Sequence, residues 1–145
     1  MEIENINDYL YKYGLHDCEA EKIYVKGNSV IFCFNTGVYY LDETGKETTK
    51  TPSCLMLLEI EGLNKRRIWE HIKIYRIKKK EIRRVSFGKF IKEVDKYQFG
   101  TMVNYISTFN QSILLDGGTL KNYYFFVAYG VNRIEFKFME KVSHK

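Results

Sequence analysis

Proline is almost missing from this chain: Pro52 is the single one among 145 residues. With only ten glycines beside it, the composition argues against a long flexible linker. The length suits one domain, residues 1–145, better than two. Cysteine is scarce as well. Cys18, Cys33 and Cys54 are odd in number and widely spaced, which speaks against a disulfide framework and for a reducing compartment. No apolar run reaches the roughly 18 residues that span a bilayer, so no membrane is expected as a partner. The opening Met1-Glu2-Ile3-Glu4-Asn5 lacks the basic region and apolar stretch of a secretory signal. A cytoplasmic protein is expected.

Motifs of catalysis and ligation are missing too. No Ser-centred elbow appears, and no glycine pair precedes a helix in a phosphate-cradling arrangement. Cys18, Cys33, Cys54, His16, His71 and His144 show neither Cys-x-x-Cys nor His-x-x-x-His spacing, so neither a metal nor a cofactor is expected.

What the chain has is aromatic residues. Twelve Tyr and ten Phe contribute to an aromatic fraction of 16%, within a hydrophobic fraction of 45%. Such a composition supports a real core and favours strands. Charge is segregated along the chain. Residues 1–61 carry 5 Lys/Arg against 11 Asp/Glu, residues 62–96 carry 13 against 4, and residues 97–145 carry 5 against 3. An acidic first third and a basic middle can give the surface two faces of opposite sign, which steer partners without choosing a fold.

In chain order, Ile6, Tyr9, Leu10 and Tyr13 fall on one helical face, predicting a short helix over 5–13 that Gly14 ends. Leu15 to Leu41 reads as a meander of two or three strands with turns at Lys26–Ser29 and Asn35–Gly37. Pro52 keeps residues 47–52 out of a central strand. The apolar run 53–60 predicts a strand buried on both faces. A basic loop over 62–67 precedes alternation from Trp69 to Ile77, then a tight turn at Lys78–Glu81. Ser86 caps the clearest helix, with Phe87, Phe90, Ile91, Val94 and Tyr97 on one face and Gly100 closing it. Strands follow at 102–109, 113–115, 123–129 and 133–138, with Gly117-Gly118 read as a turn. The expected fold class is α+β: a mainly antiparallel curved sheet or sandwich of about eight strands with two helices.

Three features compete as sites. His16-Asp17-Cys18 combines a base, a carboxylate and a thiol. On an extended strand, however, residues 16 and 18 stand about 6.5–7 Å apart, and nothing nearby would lower the thiol pKa. A local turn with a core cysteine is the favoured reading, and no enzyme is expected. The basic segment 62–96 carries Lys65, Arg66 and Arg67, then Lys73, Arg76, Lys78 to Lys80, Arg83, Arg84 and Lys89. Trp69 and Tyr75 lie among them. Cations that neutralise phosphates and aromatics that stack on bases make nucleic acid an alternative partner. A solvated face that protects an edge strand competes with it. Because Trp, Tyr and Arg dominate interface energetics, Arg66, Arg67, Trp69, Tyr75 and Arg76 are the candidate binding residues for a protein partner.

The opening resembles a loose group of small bacterial proteins, some of them immunity proteins encoded beside polymorphic toxins. The likeness lies in Leu15, His16, Asp17 and Cys18, a Leu-His-Asp-small segment leading into a strand, followed by Ile23, Val25, Val30, Phe32 and Phe34. It extends more weakly to the closing strand around Ile134–Phe138. The resemblance implies a cytoplasmic, non-catalytic protein-binding module that neutralises one cognate protein. The acidic first third suits an immunity protein against a nuclease, and the basic middle suits it poorly. A homodimer through a sheet edge is a further partner class.

Overall fold

The computed structural model describes residues 2–3, 12–107 and 111–139. The first strands are β1 (Glu2–Ile3), β2 (Tyr13–Gly14), β3 (Cys18–Ala20), β4 (Lys22–Lys26), β5 (Ser29–Phe34) and β6 (Tyr39–Leu41). Next come β7 (Glu47–Lys50), β8 (Cys54–Ile60), a single helical turn α1 (Ile68–His71), β9 (Ile72–Lys78) and β10 (Glu81–Val85). The helix α2 (Phe87–Tyr97) follows, then β11 (Phe99–Ser107), β12 (Ser112–Gly118), β13 (Tyr123–Ala128) and β14 (Val131–Phe138).

The α+β, mainly antiparallel character is as expected, but the strands form three sheets rather than one curved sheet or an eight-stranded sandwich. A five-stranded sheet runs β1-β14-β8-β5-β4, a six-stranded one β10-β9-β13-β12-β11-β3, and a small one β2-β6-β7. The 15–41 stretch is divided among all three. β4 and β5 form the expected hairpin, with Val25 opposite Val30. β3 instead pairs with β11, and β6 pairs with β2 and β7. Hydrogen-bonding partners far along the chain outbid the local ones.

The core lies where the two larger sheets meet. In the first sheet Phe32, Met56 and Phe136 stand in register across β5, β8 and β14 and are fully buried. In the second, Ile74, Phe126 and Leu115 do the same across β9, β13 and β12. Phe32 meets Phe126 edge-on at 5.2 Å. Each fully buried phenylalanine contributes roughly 1.5–3 kcal/mol. The helix α2 bridges the sheets, touching β4 of one and β9 of the other. Its apolar face buries Phe87, Phe90 and Val94, and Phe90 packs edge-on against Phe99 and Tyr124.

Several local expectations need correction. The Ser86 cap on α2 is as expected, its side chain accepting from the Lys89 N–H at 3.2 Å. The helix ends at Gln98, which takes φ 64°, and not at Gly100, which β11 uses. Gly117-Gly118 belongs to β12, and the turn lies after it, closed by Thr119 and Asn122. β8 buries one face only: Cys54, Met56, Leu58 and Ile60 are inside, while Leu55, Leu57 and Glu59 are half-buried. Of the helix expected over 5–13, residues 5–11 lie outside the described residues, and Tyr13-Gly14 is strand. Trp69 sits on the turn α1, not on the strand that follows.

Candidate functional site

The site is built by the loop after β8. Leu63 is buried and anchors it, its N–H donating to Ile60 O at 3.2 Å. Asn64 then turns the chain, its side chain accepting from Arg66 N at 2.9 Å and its carbonyl from Arg67 N at 3.0 Å. This turn leaves Lys65 and Arg66 exposed and starts α1. Trp69, the one tryptophan of the chain, is 51% exposed. It is held from behind by Arg84 of the edge strand β10. The guanidinium lies 3.5 Å over the indole and donates to the carbonyl of Trp69 and, at 3.4 Å, to that of Ile72. A stacked arginine with two backbone acceptors fixes the ring without covering its outer side.

Beside this ring runs a groove of about 530 Å³. Tyr24 and Val25 of the edge strand β4 form one wall, and Ile68 and Trp69 of α1 another. The first turn of α2 closes it with Ser86, Phe87, Gly88 and, a turn on, Ile91. Lys65 and Arg66 stand at its rim. Among the described residues that line it there is no carboxylate. The surface is therefore apolar with a cationic edge.

The five candidate binding residues divide. Arg66 and Trp69 share the groove. Arg67 is exposed and engaged with Glu70, Nε to Oε2 at 2.8 Å. That hydrogen bond raises the arginine's pKa and lowers the carboxyl's. Tyr75 and Arg76 lie on β9, half-buried, and as strand neighbours they face opposite sides of the sheet. Tyr75 stands opposite Arg84 and Phe125, Arg76 opposite Arg83 and the buried Tyr124. Sequence reasoning missed Tyr24, Val25, Gly88 and Arg84 as parts of one site. Only the capping Ser86 and the arginine run hinted at them. The rest of the basic segment spreads out: Lys78, Lys79 and Lys80 are exposed on the β9–β10 turn, and Lys89 and Lys92 on the outer side of α2.

The His16-Asp17-Cys18 triplet is a turn clipped to β11. Asp17 takes φ 59° and donates its N–H to Thr101 O at 2.8 Å, while Cys18 N–H closes on Leu15 O at 3.0 Å. The buried Thr101 hydroxyl reaches the carbonyls of Leu15 and Cys18. His16 and Asp17 face solvent, 3.4 Å apart, and Glu47 stands 3.9 Å from the imidazole. Cys18 points inward, fully buried. Burial pushes its thiol up to about 11, against the pull of Lys50 Nζ at 3.9 Å. Base and thiol thus lie on opposite sides of the backbone. No group of three or more His, Cys, Asp or Glu among the described residues is arranged to hold a metal, and no described helix is long and apolar enough to cross a membrane.

Compared with family models, curated proteins and solved structures, the chain matches none.

Proposed function

We propose that this chain is a non-catalytic protein-binding module, acting in the cytoplasm, that engages one cognate protein with the face carrying Trp69 and Arg66. The observation that carries the reading is Trp69 itself. A tryptophan left 51% exposed, clamped by a stacked arginine and bordering an apolar groove, has the make-up of an interface anchor. The likeness of Leu15–Cys18 to immunity proteins suggests the biological form: a chain that blocks a toxin. The cationic rim adds that the contacted surface of the partner is acidic.

The test is capture of partners on the tagged full chain, with and without nuclease, compared with a variant carrying Arg66→Ala, Arg67→Ala and Trp69→Ala. All three side chains are exposed, but the variant also loses the Arg84 stack on Trp69 and the Arg67–Glu70 pair. Its melting curve is therefore measured alongside and should show a folded chain with a modestly lowered midpoint. One stoichiometric protein that survives nuclease and is lost from the variant is the expected result. Retention of that protein by the variant removes the site assignment. Recovery that vanishes with nuclease moves the function to nucleic acid and the basic segment 62–96.

A further inference from the structure

The groove beside Trp69 has a chemistry specific enough to name its occupant. Its lining is mostly apolar, with Val25, Ile68 and Phe87 contributing. The charged groups at its rim, Lys65 and Arg66, are of one sign. The α2 start adds to them, because the Phe87 and Gly88 amides lie in the first turn, where no helical carbonyl reaches them.

Gly88 is the telling residue. It lies inside the helix without a positive φ, and a Cβ built on it would meet nothing within 4 Å. Neither backbone conformation nor packing calls for glycine there, and glycine weakens a helix. Its effect is to leave backbone bare at the groove, which suits close approach of a bound chain.

We infer that the groove seats an acidic peptide segment of the partner protein, with an apolar side chain against Trp69 and Phe87 and flanking carboxylates at Lys65, Arg66 and the open amides of α2. This inference rests on the protein-binding reading and adds the chemistry of the recognised segment. The volume, about 530 Å³, lies inside the roughly 300–1,000 Å³ usual for binding clefts. The half-exposed indole on its wall favours an occupant that continues beyond the groove, as a segment of a protein does.

Because Trp69 is the single tryptophan, its emission reports occupancy directly. The experiment is selection of a random peptide library, displayed on phage, against the full chain, followed by titration of the enriched peptides with Trp69 fluorescence. The expected consensus places Asp or Glu beside a large apolar residue. Its peptides should shift the emission saturably and weaken as salt rises. Binding should fall by about tenfold or more, roughly 1.4 kcal/mol, in Gly88→Leu, which fills the open space, and in Arg66→Glu, which reverses the rim. Arg66 is exposed, so the second variant keeps the test sound if the first melts early. A basic or neutral consensus, binding indifferent to both variants, or no enrichment at all would overturn the inference. The protein-binding reading is separated by partner capture: a partner kept by Gly88→Leu but lost with Arg66, Arg67 and Trp69 leaves that reading standing and removes the groove.

Discussion

Alanine at Gly88 and alanine at Gly117 should move stability in opposite directions. Gly88 lies in α2 with nothing within 4 Å of a Cβ placed on it. Alanine is better than glycine in a helix interior by about 0.8–1.0 kcal/mol. In the first turn part of that is realised, so Gly88→Ala should stabilise by about 0.5–1 kcal/mol. For a domain of this size that raises the melting temperature by about 2–4 °C per kcal/mol. Gly117 lies in β12 opposite Thr101, beside the register shift between Thr101 and Val103. A Cβ there would stand 2.0 Å from Gly100 O, 2.9 Å from Gly100 C and 3.0 Å from Thr101 Cα. All three are backbone atoms, and none can turn aside as a side chain would. Relief requires β11 and β12 to part, so the cost should reach or pass the ~1–3 kcal/mol usual for overpacking. Urea titrations followed by far-ultraviolet circular dichroism and by Trp69 emission measure both. A lowered midpoint for Gly88→Ala would show that the helix start is covered, and the open groove wall would be wrong. A wild-type midpoint for Gly117→Ala would show that β11 and β12 do not approach as described.

Glu93 on α2 accepts from Thr119, from Asn122 at 2.9 Å and from the buried Tyr124 hydroxyl at 2.8 Å, so Glu93→Ala should cost about 1–3 kcal/mol by urea titration. Tyr124→Phe, which removes donor and acceptor demand together, should cost less, and equal losses would refute the role given to Glu93 as the shared acceptor. Thr101→Val keeps the shape but removes the hydroxyl that holds the 15–18 turn, and should cost about 1–3 kcal/mol on the same assay. Burial pushes the thiols of Cys18 and Cys54 up to about 11, so iodoacetamide at neutral pH should leave both unlabelled until the chain is unfolded; rapid labelling of Cys18 in the folded state would reopen a nucleophilic role. The same shift fixes the sign of a pH effect. The unfolded thiols lose protons near pH 8.5 and the folded ones near 11, so stability is intact below the first value and falls between the two. The slope is at most ~1.4 kcal/mol per pH unit for each thiol, and Cys54→Ala should flatten it.

How far the chain could be read depended on the range of the interactions. Ser86 and the spacing of Phe87, Phe90 and Val94 announced α2, because capping and amphipathic burial act within one or two turns. Its end was misplaced because Gln98, not a glycine, takes the positive φ that stops the helix, while Gly100 is taken into β11. The Val25–Val30 hairpin was legible from its Gly27-Asn28 turn. Residue type alone grouped Tyr75 and Arg76 with Trp69, and type does not say that two neighbours on β9 face opposite sides of the sheet.

The sequence by itself determined the class: an aromatic-rich, antiparallel α+β domain with a capped amphipathic helix and a basic middle segment. Composition, periodicity and turn residues are properties of neighbours, and those are present in the string. Tertiary structure decided that Cys18–Ala20 pairs with Phe99–Thr101 and not with the strand beside it. It also decided that Trp69 is clamped by Arg84, and that Val25, Arg66 and Gly88 border one groove. Each of those juxtapositions joins segments 15 to more than 80 residues apart. Such contacts form only when the whole core closes, since the free energy that selects them is the burial shared by both large sheets.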